Sequence, residues 1–186
     1  MRPTNERVDP DGTRDSLATS RIERPDCRVL LIRDGTPADL DELREVFLRS
    51  SLSNQGDRAD LLARPEVLDR SEVSMDNGPT RVCVSPGDRI VGFLTSLDDV
   101  NQVLEIVDLF VDPDWTRRGI GRALVSDVMA TARSHRSRCI EVTANLQALG
   151  FYEKMGFVFD RNVDTTFGPA PRLHIDLEPE LEQPNL

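Results

Sequence analysis

The sequence predicts an α/β or α+β layered domain, a mixed and mainly antiparallel sheet of six or seven strands with about four helices on its two faces. Three observations carry this. Short apolar runs recur between turn residues from Val29 to Leu177. One of them, 103–111, leads through a glycine-bearing turn into a helical period over 118–134, which marks a strand-to-helix crossover. The chain has 186 residues, 38% hydrophobic and 30% charged, which suits one closed core.

Residues 1–27 carry Pro3, Pro10, Gly12 and Pro25 among mixed charges and keep no apolar face, so they read as a flexible N-terminal arm. The domain proper is expected over 28–177. Residues 28–33 form a short strand stopped by Asp34-Gly35, and Pro37 suits the first turn of a helix over 37–51. Leu40, Leu43, Val46 and Phe47 give that helix an apolar stripe. A second helical piece at 58–69 is interrupted by Pro65. Strands at 80–84 and 89–97 make a hairpin across Pro86-Gly87-Asp88, and 103–111 is the next strand. After the helix at 118–134 come a strand at 139–143, a short helix at 147–155, and strands at 157–166 and 172–177. Residues 166–171 read as a loop near the terminal strands, open to a ligand or a dimer contact. Residues 178–186 are an acidic tail.

The formal charge of -10 disfavours nucleic acid as a partner, because a phosphate backbone needs a local excess of cations. Cationic or neutral partners are expected instead. Cys27, Cys83 and Cys139 are too widely spaced for a thiolate metal site, and His135 and His174 do not repair that, so no metal is expected. The longest aliphatic run, 29–32, is far short of the ~20 residues that span hydrocarbon. With no export signal at the start, the cytoplasm is the expected compartment and no membrane partner is expected.

The sharpest local signal is Val111-Asp112-Pro113-Asp114-Trp115-Thr116-Arg117-Arg118-Gly119-Ile120-Gly121-Arg122. Gly119 and Gly121 remove side chains where a strand turns into a helix, so main-chain N–H groups and the helix dipole can meet an anion. Arg117 and Arg118 add positive charge at that mouth. No Lys-Ser or Lys-Thr follows the glycines and no third glycine stands at the dinucleotide spacing, so neither common phosphate loop fits.

This segment resembles motif A of the GNAT superfamily of N-acetyltransferases, (Arg/Gln)-x-x-Gly-x-(Gly/Ala) after a strand ending in Val-x-Pro. Val111, Pro113, Gly119 and Gly121 match, whereas Thr116 stands where Arg or Gln is usual. Asn145, Ala148, Phe151, Tyr152, Gly156 and Phe157 resemble the family's second segment, Asn-x-x-Ala-x-x-(Phe/Leu)-Tyr-x-x-x-Gly-Phe. The resemblance implies a sheet splayed at the coenzyme site, acetyl-coenzyme A as cosubstrate, and direct attack of a primary amine on the thioester. It places pyrophosphate against Thr116, Arg117, Arg118, Gly119, Ile120, Gly121 and Arg122, and pantetheine against the backbone of Leu109, Phe110 and Val111. Asn145 is either a helix cap or a neighbour of the pantetheine arm.

Glu105 stands eleven residues before Thr116, the spacing of the catalytic strand glutamate in histone-type members, so it is assigned as general base, with Asp108 its nearest replacement. Tyr152 occupies the family's sulfur-facing position and is assigned as general acid. Period-two alternation groups Glu105, Val107, Leu109 and Val111 on one side of their strand and Leu104, Ile106, Asp108 and Phe110 on the other, unless a β-bulge intervenes. Asp98, Asp99, Asp108 and Glu105 would make an acidic mouth favouring a small cationic amine or a peptide amine, and a homodimer is compatible with the sequence. The alternatives are a noncatalytic acyl-coenzyme A-binding or protein-interaction module, suggested by Thr116, and a structural, oligomer-forming protein.

Overall fold

The switch from strand to helical period at residues 103–134 becomes the centre of the molecule. The structure, a computed structural model, describes residues 20–22, 30–53, 58–63, 78–165 and 168–177, which form an eight-stranded sheet with helices on both faces. The strands are β1 (Ser20–Ile22), β2 (Leu30–Asp34), β3 (Thr80–Val84), β4 (Ile90–Val100), β5 (Val103–Val111), β6 (Cys139–Thr143), β7 (Val158–Thr165) and β8 (Gly168–Asp176). The helices are α1 (Leu40–Ser53), α2 (Arg58–Ala63), α3 (Ile120–Ser134) and α4 (Leu149–Lys154). Across the sheet the order is β1-β2-β3-β4-β5-β6-β8-β7. Only β5 and β6 run parallel, because α3 carries the chain back between them.

Two expectations change. Ser20–Ile22, inside the expected arm, pairs antiparallel with Leu30–Ile32 as an eighth strand. Main-chain bonding along the open edge of β2 holds it, a term that residue composition does not register. Gly168, Pro169, Ala170 and Pro171, expected in a loop, begin β8. They pair with β7, while β6 joins β8 only from Arg172 onward, so Pro169 and Pro171 sit where β8 is still an edge and can lack a donor. Of the helix expected over 58–69, Arg58–Ala63 is helical and 64–69 lie outside the described residues.

Helix α1 covers one face of the sheet, burying Leu43 and Val46 against Val82, Val84, Ile90 and Phe93. Its entry is fixed by a capping box between Thr36 and Asp39 and by the Arg33–Asp39 ion pair at 2.8 Å. Hydrogen bonding from Arg33 draws the Asp39 carboxyl down to about 2. That contribution is present above the ordinary carboxylate range and is lost as pH falls through about 2. Helix α3 buries Ile120, Leu124, Val125, Val128, Met129 and Ala132 on the opposite face, at helical spacing. It is also tied to the sheet by Arg81 of β3, which is 5% exposed and donates to Asp127 at 2.7 Å and to Asp34. Gly92 sets how closely α3 approaches. A Cβ there would lie 2.9 Å from Ile120 Cγ2 and 3.0 Å from the Phe110 carbonyl oxygen, so only glycine lets the first turn of α3 rest on β4. Among the described residues no helix is long and apolar enough to cross a membrane.

Candidate active site

The β5–α3 turn is built around a buried carboxylate. Asp112, 1% exposed, donates its N–H to the Val91 carbonyl and accepts from the Asp114 N–H at 2.9 Å through Oδ1. Its Oδ2 meets Arg49 of α1 at 2.9 Å, and the same guanidinium reaches Asp114 at 2.6 Å. A single 3-10 turn, Pro113–Trp115, follows. Arg117 (φ 56°) and Gly119 (φ 78°) then adopt left-handed backbone, which turns successive amides toward one side. The first helical bond of α3 is Ala123 N–H to the Gly119 carbonyl at 2.9 Å. Among the described residues, the N–H groups of 117 to 122 therefore have no acceptor. Arg117, Arg118 and Arg122 are exposed beside them. Arg118 stacks over the Trp115 ring, 4.7 Å from its centroid. Thr116 uses its hydroxyl inside the turn, donating to the Pro113 carbonyl at 3.0 Å.

Beside this cradle the sheet forks. β5 and β6 pair only from Val103↔Cys139 to Ile106↔Val142, and β5 continues to Val111 without a strand on that side. Since the Asp112 N–H faces β4, alternation turns the main-chain groups of Leu109 and Val111 to the open side of the fork.

A bulge at the fork overturns the simple period-two grouping. Thr95 pairs with Asp108 and Ser96 with Ile106, so Val107 is the extra residue. Below it Leu104 and Ile106 face the α3 side, and above it Leu109 and Val111 do. Phe110 packs instead with Phe47 and Phe93 on the α1 side. Glu105 and Asp108 consequently share the α1 face, where regular alternation would have separated them.

Their surroundings differ. Glu105 lies in the paired part of β5, and its carboxylate accepts from Arg172 of β8. The same guanidinium donates to Glu141 at 2.5 Å and to the Thr143 hydroxyl at 2.8 Å, spanning three strands at the base of the fork. Asp108 lies in the open part of β5, where burial raises its pKa against a hydrogen bond from Thr95 that lowers it. Tyr152, 4% exposed on α4, packs edge-on to Phe151 and Phe157 with centroids 5.0 and 5.4 Å away. Burial, and then the Asp108 charge, push its phenol well above the ordinary tyrosine range. Asn145 accepts from the Ala148 N–H at 2.8 Å and so caps the turn before α4, the first of its two sequence readings. The side chains of Asp98 and Asp99 lie outside the described residues.

Sequence reasoning passed over Asp112, Arg49, Gly92 and Arg172. An Asp followed by Pro-Asp is a turn-initiating signal, and a lone glycine within a strand signals close backbone approach, so Asp112 and Gly92 were findable. Nothing local marks Arg49 or Arg172, whose partners are 65 and 67 residues away.

The fold is that of an acyltransferase: an amide cradle at a strand-to-helix turn stands beside a sheet forked at a bulge, with a buried tyrosine on α4. The sequence profile of the Acetyltransferase (GNAT) family matches residues 40–157, and the chain belongs to that family. The chain is 31% identical over 149 residues to the peptidyl-lysine N-acetyltransferase YjaB of Escherichia coli (strain K12), covering 79% of this chain and 96% of that one. The solution structure of apo-form YjaB from Escherichia coli superposes with a TM-score of 0.60 at 28% identity, over 79% of this chain and 96% of that chain. An uncharacterized N-acetyltransferase of Methanocaldococcus jannaschii is 37% identical over 59 residues, but these are 30% of this chain and only 26% of that one. The PaiA N-acetyltransferase of Thermoplasma acidophilum, solved in complex with coenzyme A, shares the fold with a TM-score of 0.59 at 17% identity, over 80% of this chain and 99% of that chain.

Proposed function

We propose that this protein transfers the acetyl group of acetyl-coenzyme A by direct attack to a cationic primary amine, namely the lysine side chain of a peptide. The observation that carries the reading is the run of amides at 117 to 122 without acceptors, set at the end of an open strand edge. The pyrophosphate would lie on those amides with Arg117, Arg118 and Arg122 around it, and Ile120 would seat the helix beneath. The pantetheine amides would complete the unpaired edge of β5 at Leu109, Phe110 and Val111, taking the place of the strand that the fork removes. Asn145 would line the arm from the other lip. Tyr152 would stand on the sulfur side and protonate the departing thiolate. The amine would approach from the α1 face, where Glu105, Glu141 and Asp108 outnumber Arg172 and favour a protonated amine during encounter. Peptidyl-lysine as the acceptor class is supported by the name of the relative from Escherichia coli. No metal ion enters the proposal.

The test is incubation with acetyl-coenzyme A and a panel of lysine peptides and small amines. The expected product carries the mass of one added acetyl on a lysine amine. Tight coenzyme binding without turnover across the panel would instead indicate a noncatalytic coenzyme-binding module, and absence of both binding and turnover would sink the reading.

The cradle makes a separate prediction. Alanine at Arg117 or Arg118 should raise the dissociation constant for coenzyme A about ten- to a hundredfold, since a hydrogen bond to a charged group contributes about 1.5–3 kcal/mol. Turnover at saturating coenzyme should change little. Titration followed by Trp115 fluorescence reads this in the Arg117 variant, and calorimetry reads it in both. Unchanged affinity in the paired variant would return both arginines to an ordinary solvated surface.

A further inference from the structure

We infer that Asp108, rather than Glu105, takes the proton from the attacking amine, an inference that rests on the acetyl-transfer reading. Three observations place it there. The bulge at Val107 turns Asp108 onto the α1 face, from which the amine approaches, while leaving it on the open part of β5. Its cross-strand partner on β4 is Thr95, whose hydrogen bonding lowers the Asp108 pKa and which is itself buried, its hydroxyl 3.2 Å from that of Thr80. The Asp108 charge also adds to the raised pKa of the Tyr152 phenol, the group assigned to the sulfur side.

Glu105 is differently committed. It sits one residue before the last β5–β6 pair, its backbone partner is Glu141, and its carboxylate is held by a guanidinium that also binds Glu141 and Thr143. Its Oε1 is tied to that guanidinium by a charge-assisted hydrogen bond. The network fixes the base of the fork: Arg172 joins the strands on either side just below the point where their main-chain pairing ends. Asp108 is instead paired across the sheet with Thr95, and among the described residues no ion pair holds it. Burial disfavours its charged form, which brings a carboxylate closer to the basicity that general-base catalysis needs near neutral pH.

The proton count closes. One ammonium proton leaves by way of Asp108 to solvent, and the C–N bond forms as the C–S bond breaks. The sulfur takes the Tyr152 proton, and the surplus proton on the new amide nitrogen returns the phenol to its neutral form.

The experiment compares Asp108→Asn and Glu105→Gln in the full chain, with acetyl-coenzyme A and an N-terminally blocked lysine peptide. Thiol release measures turnover, and calorimetric coenzyme A binding checks each fold. Asp108→Asn is expected to lower kcat by about a hundredfold or more with unchanged coenzyme affinity, the typical yield of positioned proton transfer. Glu105→Gln is expected to lose far less. Asp108→Asn that binds coenzyme and keeps wild-type turnover overturns the inference. So does a coenzyme-competent Glu105→Gln that loses a hundredfold, whatever the Asp108 variant does. Wild-type protein that binds coenzyme but acetylates no amine refutes the transfer reading itself, a distinguishable failure.

Discussion

Tyr152→Phe is expected to lower turnover by about 10²–10⁴-fold while leaving coenzyme affinity and thermal stability near those of the wild type. The phenol ring is 4% exposed and packed against Phe151 and Phe157, so a phenylalanine keeps the same edge contacts. Among the described residues the hydroxyl makes no hydrogen bond, and its removal therefore strands no partner. What is lost is the proton. Burial, reinforced by the Asp108 charge, holds the phenol in its protonated form, the form that can donate to a thiolate. Because the shift is upward, the decline in rate set by this group should fall above the ordinary tyrosine range, and it should vanish in the phenylalanine variant. Steady-state rates across pH, with coenzyme binding measured alongside, check both points. A folded variant that binds coenzyme and keeps wild-type turnover would make Tyr152 a packing residue.

The largest stability loss is expected at Asp127. Arg81 is 5% exposed, and its Nε and one terminal nitrogen donate to the Asp127 carboxylate at 2.7 and 3.3 Å. Taking one partner from a buried ion pair leaves a desolvated charge, which costs about 3–5 kcal/mol. For a chain of this size that corresponds to a melting point lower by about 6–20 °C. Asp127→Asn keeps an acceptor and should lose less. Replacing Arg81 and Asp127 together with apolar residues of similar volume should recover most of the loss, because the cost lies in a buried guanidinium left with Asp34 alone rather than in a large net gain from the pair. Calorimetric melting of the single and paired variants decides this. An Asp127→Ala protein that melts like the wild type would mean that Asp34 alone satisfies Arg81.

The effect should reach the coenzyme only indirectly. Asp127 is two turns into α3, whereas the cradle is its first turn, seated on β4 through Gly92 and Ile120. Loosening the middle of α3 lowers the population of folded cradle without altering its amides. Coenzyme should accordingly stabilise the Asp127 variant by mass action as it does the wild type.

Much of the architecture could be read before any coordinates. The helix at 118–134 and the strand at 103–111 carried their periods plainly, and the structure places them at Ile120–Ser134 and Val103–Val111. The glycines at 119 and 121 marked the cradle because few residues other than glycine accept the backbone that a tight strand-to-helix turn requires. The eighth strand at Ser20–Ile22 and the early start of β8 at Gly168 were not legible. Both depend on which strand edge is left open nearby, and no local pattern of side chains states that.

The same division runs through the site. The residue types at 105, 108, 117–121 and 152 were determined by the sequence, and with them the chemistry on offer: carboxylates, free amides with arginines, and a phenol. Which carboxylate faces the open fork and which is bound to a guanidinium was decided only in three dimensions. One extra residue, Val107, inverts the facing of everything after it in β5 and brings Asp108 onto the face of Glu105. Arg172, 67 residues away, then occupies one of the two carboxylates. Periodicity records the facing of a regular strand, but a bulge is set by pairing with β4, and an ion pair by which strands become neighbours. Both are properties of the assembled sheet.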